Sequence, residues 1–318
     1  MKWLNKRIGL ALGGGGARGL AHIGVLKAFE REAIPIDIIV GTSAGALIGG
    51  AYAGGLSLDE LVEKVNEYLN SPEFQSSAIR AVEAGHSQEN HKLAQKIEIF
   101  LKNSFYLAQT MFRPGILSSE DFQTMIDYFI PDIQIEEACI PFRAVATDLV
   151  KGKQIIFSEG PLRQAVMASC AVPGAVEPLK EGGMILSDGG IFGLVPSSVA
   201  RKEGADIVIA VAVDQDICTE EEFRTSKDVN DRAAEIMARQ LEAYELRDAD
   251  IVIRPKVGDL QWTDFSHAID LIEEGEKAAE ENMDNIRNAM PVIKKWLTFK
   301  QLMKSRKKLL LPTRPPTA

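Results

Sequence analysis

The strongest constraint on the fold is a pattern that occurs twice in the first 53 residues: a short apolar run, a glycine turn, then a segment of helical character. Residues 6–12 run into Gly13-Gly14-Gly15-Gly16, and in residues 20–31 Ile23, Leu26, Ala28 and Phe29 recur near the helical period. Residues 36–40 are the second apolar run; it ends in Gly41 and leads into the small-residue segment 44–53. Uninterrupted apolar runs suit buried strands, and two strands joined through a helix pair in parallel by a right-handed crossover. The expected fold class is α/β, a three-layer α/β/α arrangement with a mostly parallel central sheet.

Residues 57–135 read as helical throughout. Segments 59–69 and 92–111 are amphipathic, 119–129 follows a capping serine, and 71–77 and 85–90 are polar connectors. A helical insert between sheet-forming segments predicts a cap over a site. The sheet then resumes: residues 142–149 and 154–157 flank Lys151-Gly152 as a hairpin, and 184–186, 207–213 and 251–253 are short strands. Residues 228–246 and 265–288 are helix-like. With no repeat and no shift in composition, residues 1–290 are expected to form one domain, followed by a basic helix and Pro-rich tail at 291–318.

With 318 residues, 46% of them hydrophobic, the chain can bury a core without disulfide staples. Its three cysteines, Cys139, Cys170 and Cys218, are odd in number and unpatterned, implying neither a disulfide framework nor a zinc site. A reducing, cytoplasmic setting is expected, and the first twelve residues are too short for a secretory signal. Residues 38–58 carry no charge and place Gly41, Gly45 and Gly49 at GxxxG spacing, the pattern of a membrane span. Six glycines in that stretch favour a buried strand, turn and helix instead. Residues 294–318 hold eight Lys/Arg and no acid, leaving 28 basic against 45 acidic residues elsewhere. A body of net charge −17 speaks against nucleic acid as a partner.

Gly14, Gly16 and Gly19 match GxGxxG, the dinucleotide fingerprint, but that motif requires an acid closing the next strand. Here the strand closes on Gly41-Thr42-Ser43, and Asp37 lies at its start; no Gly-Lys-Ser/Thr follows to make a phosphate loop. What the loop offers is a row of N–H groups at a helix N-terminus, suited to phosphate or oxyanion, with Arg18 beside it. A tight turn without a ligand is the plainer alternative.

Gly41-Thr42-Ser43-Ala44-Gly45 is a GxSxG between a strand and a small-residue helix, the setting of a nucleophile elbow. Gly41 and Gly45 let the backbone turn sharply and hold Ser43 out at the helix N-terminus. A serine nucleophile needs a proton acceptor. None of His22, His86, His91 and His267 ends a strand among turn residues, whereas Asp188 follows a short strand and precedes Gly189 and Gly190. Burial would raise its basicity. Spacing alone leaves a catalytic base and a surface Asp-Gly turn equally open.

These residues together resemble the patatin-like phospholipase family, which includes plant patatins and neuropathy-target-esterase-like proteins. The likeness runs over residues 6–290: the block from Gly13 to Gly24, the elbow Gly41 to Gly45, Ala146-Thr147-Asp148-Leu149, residues 168–173, Asp188-Gly189-Gly190 and residues 204–209. It implies a lipid acyl hydrolase of phospholipase A or lysophospholipase type, in which a Ser43–Asp188 dyad works without histidine, metal or organic cofactor. The oxyanion would be held by the N–H groups of Gly14, Gly15 and Gly16, with Arg18 fixing the loop. One segment departs from the pattern: where bacterial members carry an Asn-Pro pair, this chain has Leu194 and Val195. That departure keeps open a catalytically weak lipid-binding or adaptor module. Residues 294–311 interleave Trp296, Phe299, Leu302 and Met303 with Lys and Arg, as would suit a basic helix lying on an anionic membrane, or simply a packed final helix.

Overall fold

The computed structural model describes residues 6–75, 115–117, 119–214, 222–258, 260–291 and 294–295. Strand β1 (Ile8–Leu12) leads through a 3₁₀ turn, Gly16–Leu20, into α1 (Ala21–Arg31). Strand β2 (Ile38–Thr42) is followed by α2 (Ala44–Ala53), α3 (Leu58–Asn70) and a single turn, α4 (Pro72–Gln75). Then come β3 (Gly115–Leu117), α5 (Ser119–Phe129), β4 (Phe142–Asp148), β5 (Lys153–Phe157) and α6 (Leu162–Ser169). Strands β6 (Gly174–Val176), β7 (Leu179–Glu181) and β8 (Met184–Asp188) precede α7 (Ser197–Lys202) and β9 (Ile207–Val211). Helix α8 (Ser226–Glu245), β10 (Ile251–Ile253), α9 (Ala268–Glu281) and α10 (Met283–Ala289) complete the described elements.

Seven strands run in the order β10-β9-β1-β2-β4-β8-β7, and β5 adds an eighth by pairing with β4. The pairs from β10 through β4 are parallel; β5, β7 and β8 join antiparallel. Alternation along each strand sorts the side chains by size. Ile8, Leu10 and Leu12 enter the larger core with Ile39, Ile207, Ile209 and Val211, beneath α1, α2 and α9. Ala11, Ile38, Val40, Val208 and Ala210 face the other way, against Val199 and Ala200 of α7. Burying each large aliphatic is worth about 1.5–3 kcal/mol, and a sheet covered on both faces gains it on both. The expected three-layer fold is thus present, with a mostly parallel sheet.

Two helices meet at backbone contact. A Cβ on Gly24 of α1 would stand 1.8 Å from the Ile272 carbonyl oxygen, and one on Gly275 of α9 would stand 1.9 Å from that of Ala21. No larger residue fits at either crossing point.

The block 57–135 is not helical throughout: Gly115–Leu117 is a strand, pairing in parallel with Gly174–Val176. Three residues are too few to show strand periodicity, and their conformation is set by the partner strand. The expected helix at 92–111, the connector at 85–90, His86, His91 and Cys218 lie outside the described residues. So does nearly all of the basic tail. Of that tail, Lys294 forms an ion pair with Asp37, and Lys295 Nζ donates to the Asn288 carbonyl at 3.2 Å. Residues 38–58 form β2, α2 and the entry to α3, and no helix among the described residues is long and apolar enough to cross a membrane.

Candidate active site

Ser43 sits where β2 turns into α2, at φ 53° and ψ −124°. A side-chain-bearing residue held there costs about 1–3 kcal/mol, so the surroundings must enforce it. Gly41 and Gly45 permit the turn. A Cβ on Gly41 would lie 2.5 Å from the Ala46 Cα, and one on Gly45 2.2 Å from the Leu12 carbonyl oxygen. The C-terminal end of α6 clamps the elbow. Ser43 N–H donates to Ser169 Oγ at 3.0 Å, Ser169 Oγ–H to the Val145 carbonyl at 2.6 Å, and Cys170 Sγ–H to the Ser43 carbonyl at 3.1 Å. Neither Ser169 nor Cys170 was assigned a role from sequence, although both lie within the block 168–173 that carries the resemblance.

Strand register brings Asp188 to the same place. Strand β5 pairs with Ala144–Asp148 of β4, overlapping residues that also pair with β2 and residues that also pair with β8. A strand has two edges, so β2 and β8 share the other one end to end. The parallel strand β2 reaches Val145 with Thr42, and the antiparallel strand β8 reaches Ala146 with Asp188. Their C-terminal ends therefore meet head-on. Asp188 is 6% exposed. Its Oδ1 accepts Gly190 N–H at 2.7 Å, capping the 3₁₀ turn Gly189–Ile191, while Oδ2 is buried without a full hydrogen bond. Thr147 Oγ1–H donates to the Asp188 carbonyl at 2.9 Å, and a Cβ on Gly189 would lie 2.3 Å from the Val145 carbonyl oxygen. Burial pushes the Asp188 carboxyl up to about 6; the neighbouring Ser43 hydroxyl and the Gly190 N–H pull the other way.

The glycine loop lies against the elbow: a Cβ on Gly14 would be 3.2 Å from that of Ser43. Gly13 N–H donates to Val211 at 3.0 Å, and the Gly13 carbonyl accepts from His22 Nε2 at 2.7 Å. The Gly15 carbonyl accepts from Arg18 Nε at 3.2 Å, and Ala17 N–H donates to Trp262 at 2.7 Å. Gly14 departs from expectation: its N–H is already donated to the Leu194 carbonyl at 2.9 Å. The N–H groups of Gly15 and Gly16 make no hydrogen bond among the described residues. Leu194 and Val195 thereby acquire a physical role. The first supports the glycine loop through its backbone, and the second is 1% exposed and fills the smaller core, so no polar side chain is needed there.

His22, His267 and Asp37 are engaged elsewhere. Burial lowers the His22 pKa to about 4 against its bond to Gly13, leaving a neutral ring that anchors the loop. His267 stands at the start of α9, paired with Asp270 at 3.0 Å. Asp37 accepts Ile8 N–H at 2.5 Å and pairs with Lys294, at the opposite end of β1 from the loop and out of reach of a ribose there. Among the described residues no group of three or more His, Cys, Asp or Glu is placed to hold a metal.

Ser43, Gly16 and Cys170 open onto a cavity of about 310 Å³, walled by Leu47, Val65, Leu69, Phe74, Phe122 and Phe129. These side chains come from α2, α3, α4 and α5, so the described part of the insert closes over Ser43. The lining is almost wholly apolar. A chamber so lined suits hydrocarbon, and the Ser43 hydroxyl is among the few polar groups on its wall.

An uncharacterized NTE family protein of Mycobacterium tuberculosis is 35% identical over 207 residues, 65% of this chain and 49% of the relative. Human patatin-like phospholipase domain-containing protein 6 is 33% identical over 208 residues, 65% of this chain and 13% of that protein. The chain thus spans about half the length of the mycobacterial relative. Among solved structures, VipD from Legionella pneumophila aligns with a TM-score of 0.49 at 15% identity, covering 88% of this chain and 67% of VipD. The signature described as patatin-like phospholipase matches residues 10–200, from within β1 through the elbow and the Asp188 loop to α7, and this chain belongs to that family.

Proposed function

We infer that this chain hydrolyses acyl esters of lipids, with Ser43 as nucleophile and Asp188 as its base. The observation that carries this reading is a strained serine on the wall of an apolar cavity, with a buried carboxyl of raised pKa beside it. An acyl chain occupies the cavity and sets the ester carbonyl over Ser43. Asp188, ionised, takes the hydroxyl proton as Oγ attacks the carbonyl carbon. The oxyanion forms beside the N–H groups of Gly15 and Gly16, at the start of the 3₁₀ turn; one such donor is worth about 3 kcal/mol in the transition state. As the C–O bond breaks, Asp188 returns the proton to the departing alcohol, leaving an acyl-enzyme. Water then attacks the acyl carbon, Asp188 taking its proton and handing it back to Ser43 as the fatty acid leaves. Phospholipids and lysophospholipids are the substrate class this reading takes: family membership points to lipid, and the apolar cavity suits an acyl chain.

The test is hydrolysis of p-nitrophenyl esters and lysophospholipid by wild type, Ser43→Ala and Asp188→Asn, each confirmed folded by its melting curve. Wild-type kcat/KM should rise with pH through about 6, because Asp188 accepts a proton only when ionised. Both variants should lose about 10³-fold or more. Activity surviving in Ser43→Ala would overturn the assignment.

A further inference from the structure

Behind the glycine loop lies a charge cluster that this chemistry does not use. Strand β9 runs out through Val213 to Asp214, and a Cβ on Gly15 would be 2.7 Å from the Val213 Cγ2, so Asp214 follows directly on a loop contact. Asp214 and Glu242, the latter on α8, have side chains only 3% exposed. Arg239 pairs with Asp214, and with Glu242 at 3.1 Å. Arg254, just past β10, spans both carboxyls, at 3.3 Å from Asp214 Oδ1 and 3.1 Å from Glu242 Oε1. Arg18, 9% exposed, makes no ion pair with these groups but lies within their field, attracted by both carboxylates and repelled by Arg239. None of the five lines the apolar cavity.

Asp214 and Glu242 are buried while the Arg254 side chain is 47% exposed, and the two carboxylates depend on their arginines to offset the cost of leaving water. The cluster meets the glycine loop through Val213, which packs against Gly15, and on the side of Arg18, whose Nε holds the Gly15 carbonyl. That carbonyl and the Gly16 N–H belong to one planar trans peptide and point in opposite directions. Fixing the carbonyl on the Arg18 side therefore aims the Gly16 N–H the other way. Gly16 lines the cavity beside Ser43.

We propose that Asp214 and Glu242 are positioning residues: locked by Arg239 and Arg254, they anchor Arg18, and Arg18 orients the Gly15–Gly16 peptide toward the developing oxyanion. The catalytic consequence rests on the acyl-hydrolase reading above; the structural linkage does not. The charged groups facing Glu242 are Asp214 from the end of β9, Arg254 from beyond β10, Arg239 from its own helix and Arg18 from the loop. Burial, together with the neighbouring Asp214 carboxyl, raises the Glu242 carboxyl above the usual carboxylate range.

Two measurements test the linkage. In ester hydrolysis, Glu242→Ala should lower kcat about 10-fold with KM unchanged, while Glu242→Gln, which keeps a hydrogen bond to Asp214, recovers most of the rate. Arg18→Met should cost at least as much, and the double variant Arg18→Met/Glu242→Ala no more than Arg18→Met alone, because Glu242 acts through Arg18. Losses that multiply, or a change confined to KM, would overturn the proposal. The second measurement needs no turnover: the Gly15 and Gly16 amide resonances are followed against pH in wild type and in Glu242→Gln. A step as Glu242 titrates, above the usual carboxylate range, should be present in wild type and absent from the variant. An inert wild type that keeps this step would remove the hydrolase reading and leave the linkage standing. Amides indifferent to Glu242→Gln would overturn the linkage even in an active enzyme.

Discussion

Asp188→Asn should make the protein more stable at neutral pH while abolishing its activity. Burial raises the Asp188 carboxyl from its ordinary 3.8 to about 6, so the folded state holds the ionised form at a disadvantage. Each pKa unit corresponds to about 1.4 kcal/mol, so ionised Asp188 costs the fold about 3 kcal/mol at neutral pH. Asparagine removes the charge and keeps an oxygen to accept Gly190 N–H. Its amide N–H₂ replaces the unpaired Oδ2 and faces only partial satisfaction, which returns about 1 kcal/mol. The net gain is then about 2 kcal/mol.

The sign of the pH dependence follows from linkage. Because the folded carboxyl binds its proton more tightly than the unfolded one, wild-type stability is greatest below the unfolded value and is lost as pH rises through about 6. The advantage of Asp188→Asn is therefore full above about 6, shrinks as pH falls, and disappears below about 4. Urea unfolding of both proteins across that range measures it. A variant no more stable than wild type at neutral pH, or a difference that ignores pH, would refute the claim that burial of this carboxyl sets its basicity.

Gly45→Ala should fail at the elbow, since its Cβ would stand 2.2 Å from the Leu12 carbonyl oxygen in backbone that cannot yield; a loss of about 3 kcal/mol or more in urea unfolding is expected. Val65→Phe narrows the cavity wall and should shift the kcat/KM ratio from p-nitrophenyl laurate toward butyrate; an unchanged ratio would place the acyl chain elsewhere.

The elbow was legible because its information is local. Gly41 and Gly45 stand where any Cβ would strike backbone, so the constraint is written in the residues themselves. The parallel strands were legible for a related reason: Ile8–Leu12 and Ile207–Val211 are apolar on both faces, which suits a covered sheet. Three of the shortest elements were not, although β10, equally short, is legible from its wholly apolar Ile251–Ile253. Strands β3, β6 and β7 have three residues each, too few to carry a period, and the β7–β8 hairpin turns on Gly182 and Gly183, both at positive φ. The meeting of Ser43 with Asp188 could not be derived from spacing, since it depends on β2 and β8 sharing one edge of β4. Gly14, Gly15 and Gly16 make the same point at atomic scale. In sequence they are alike, three N–H groups with nothing in the way. The difference is made by Leu194, far along the chain, whose carbonyl takes the N–H of Gly14, and by Arg18, which holds the Gly15 carbonyl. A glycine-rich loop guarantees that the backbone is accessible; which of its donors are free is decided by the segments that pack behind it.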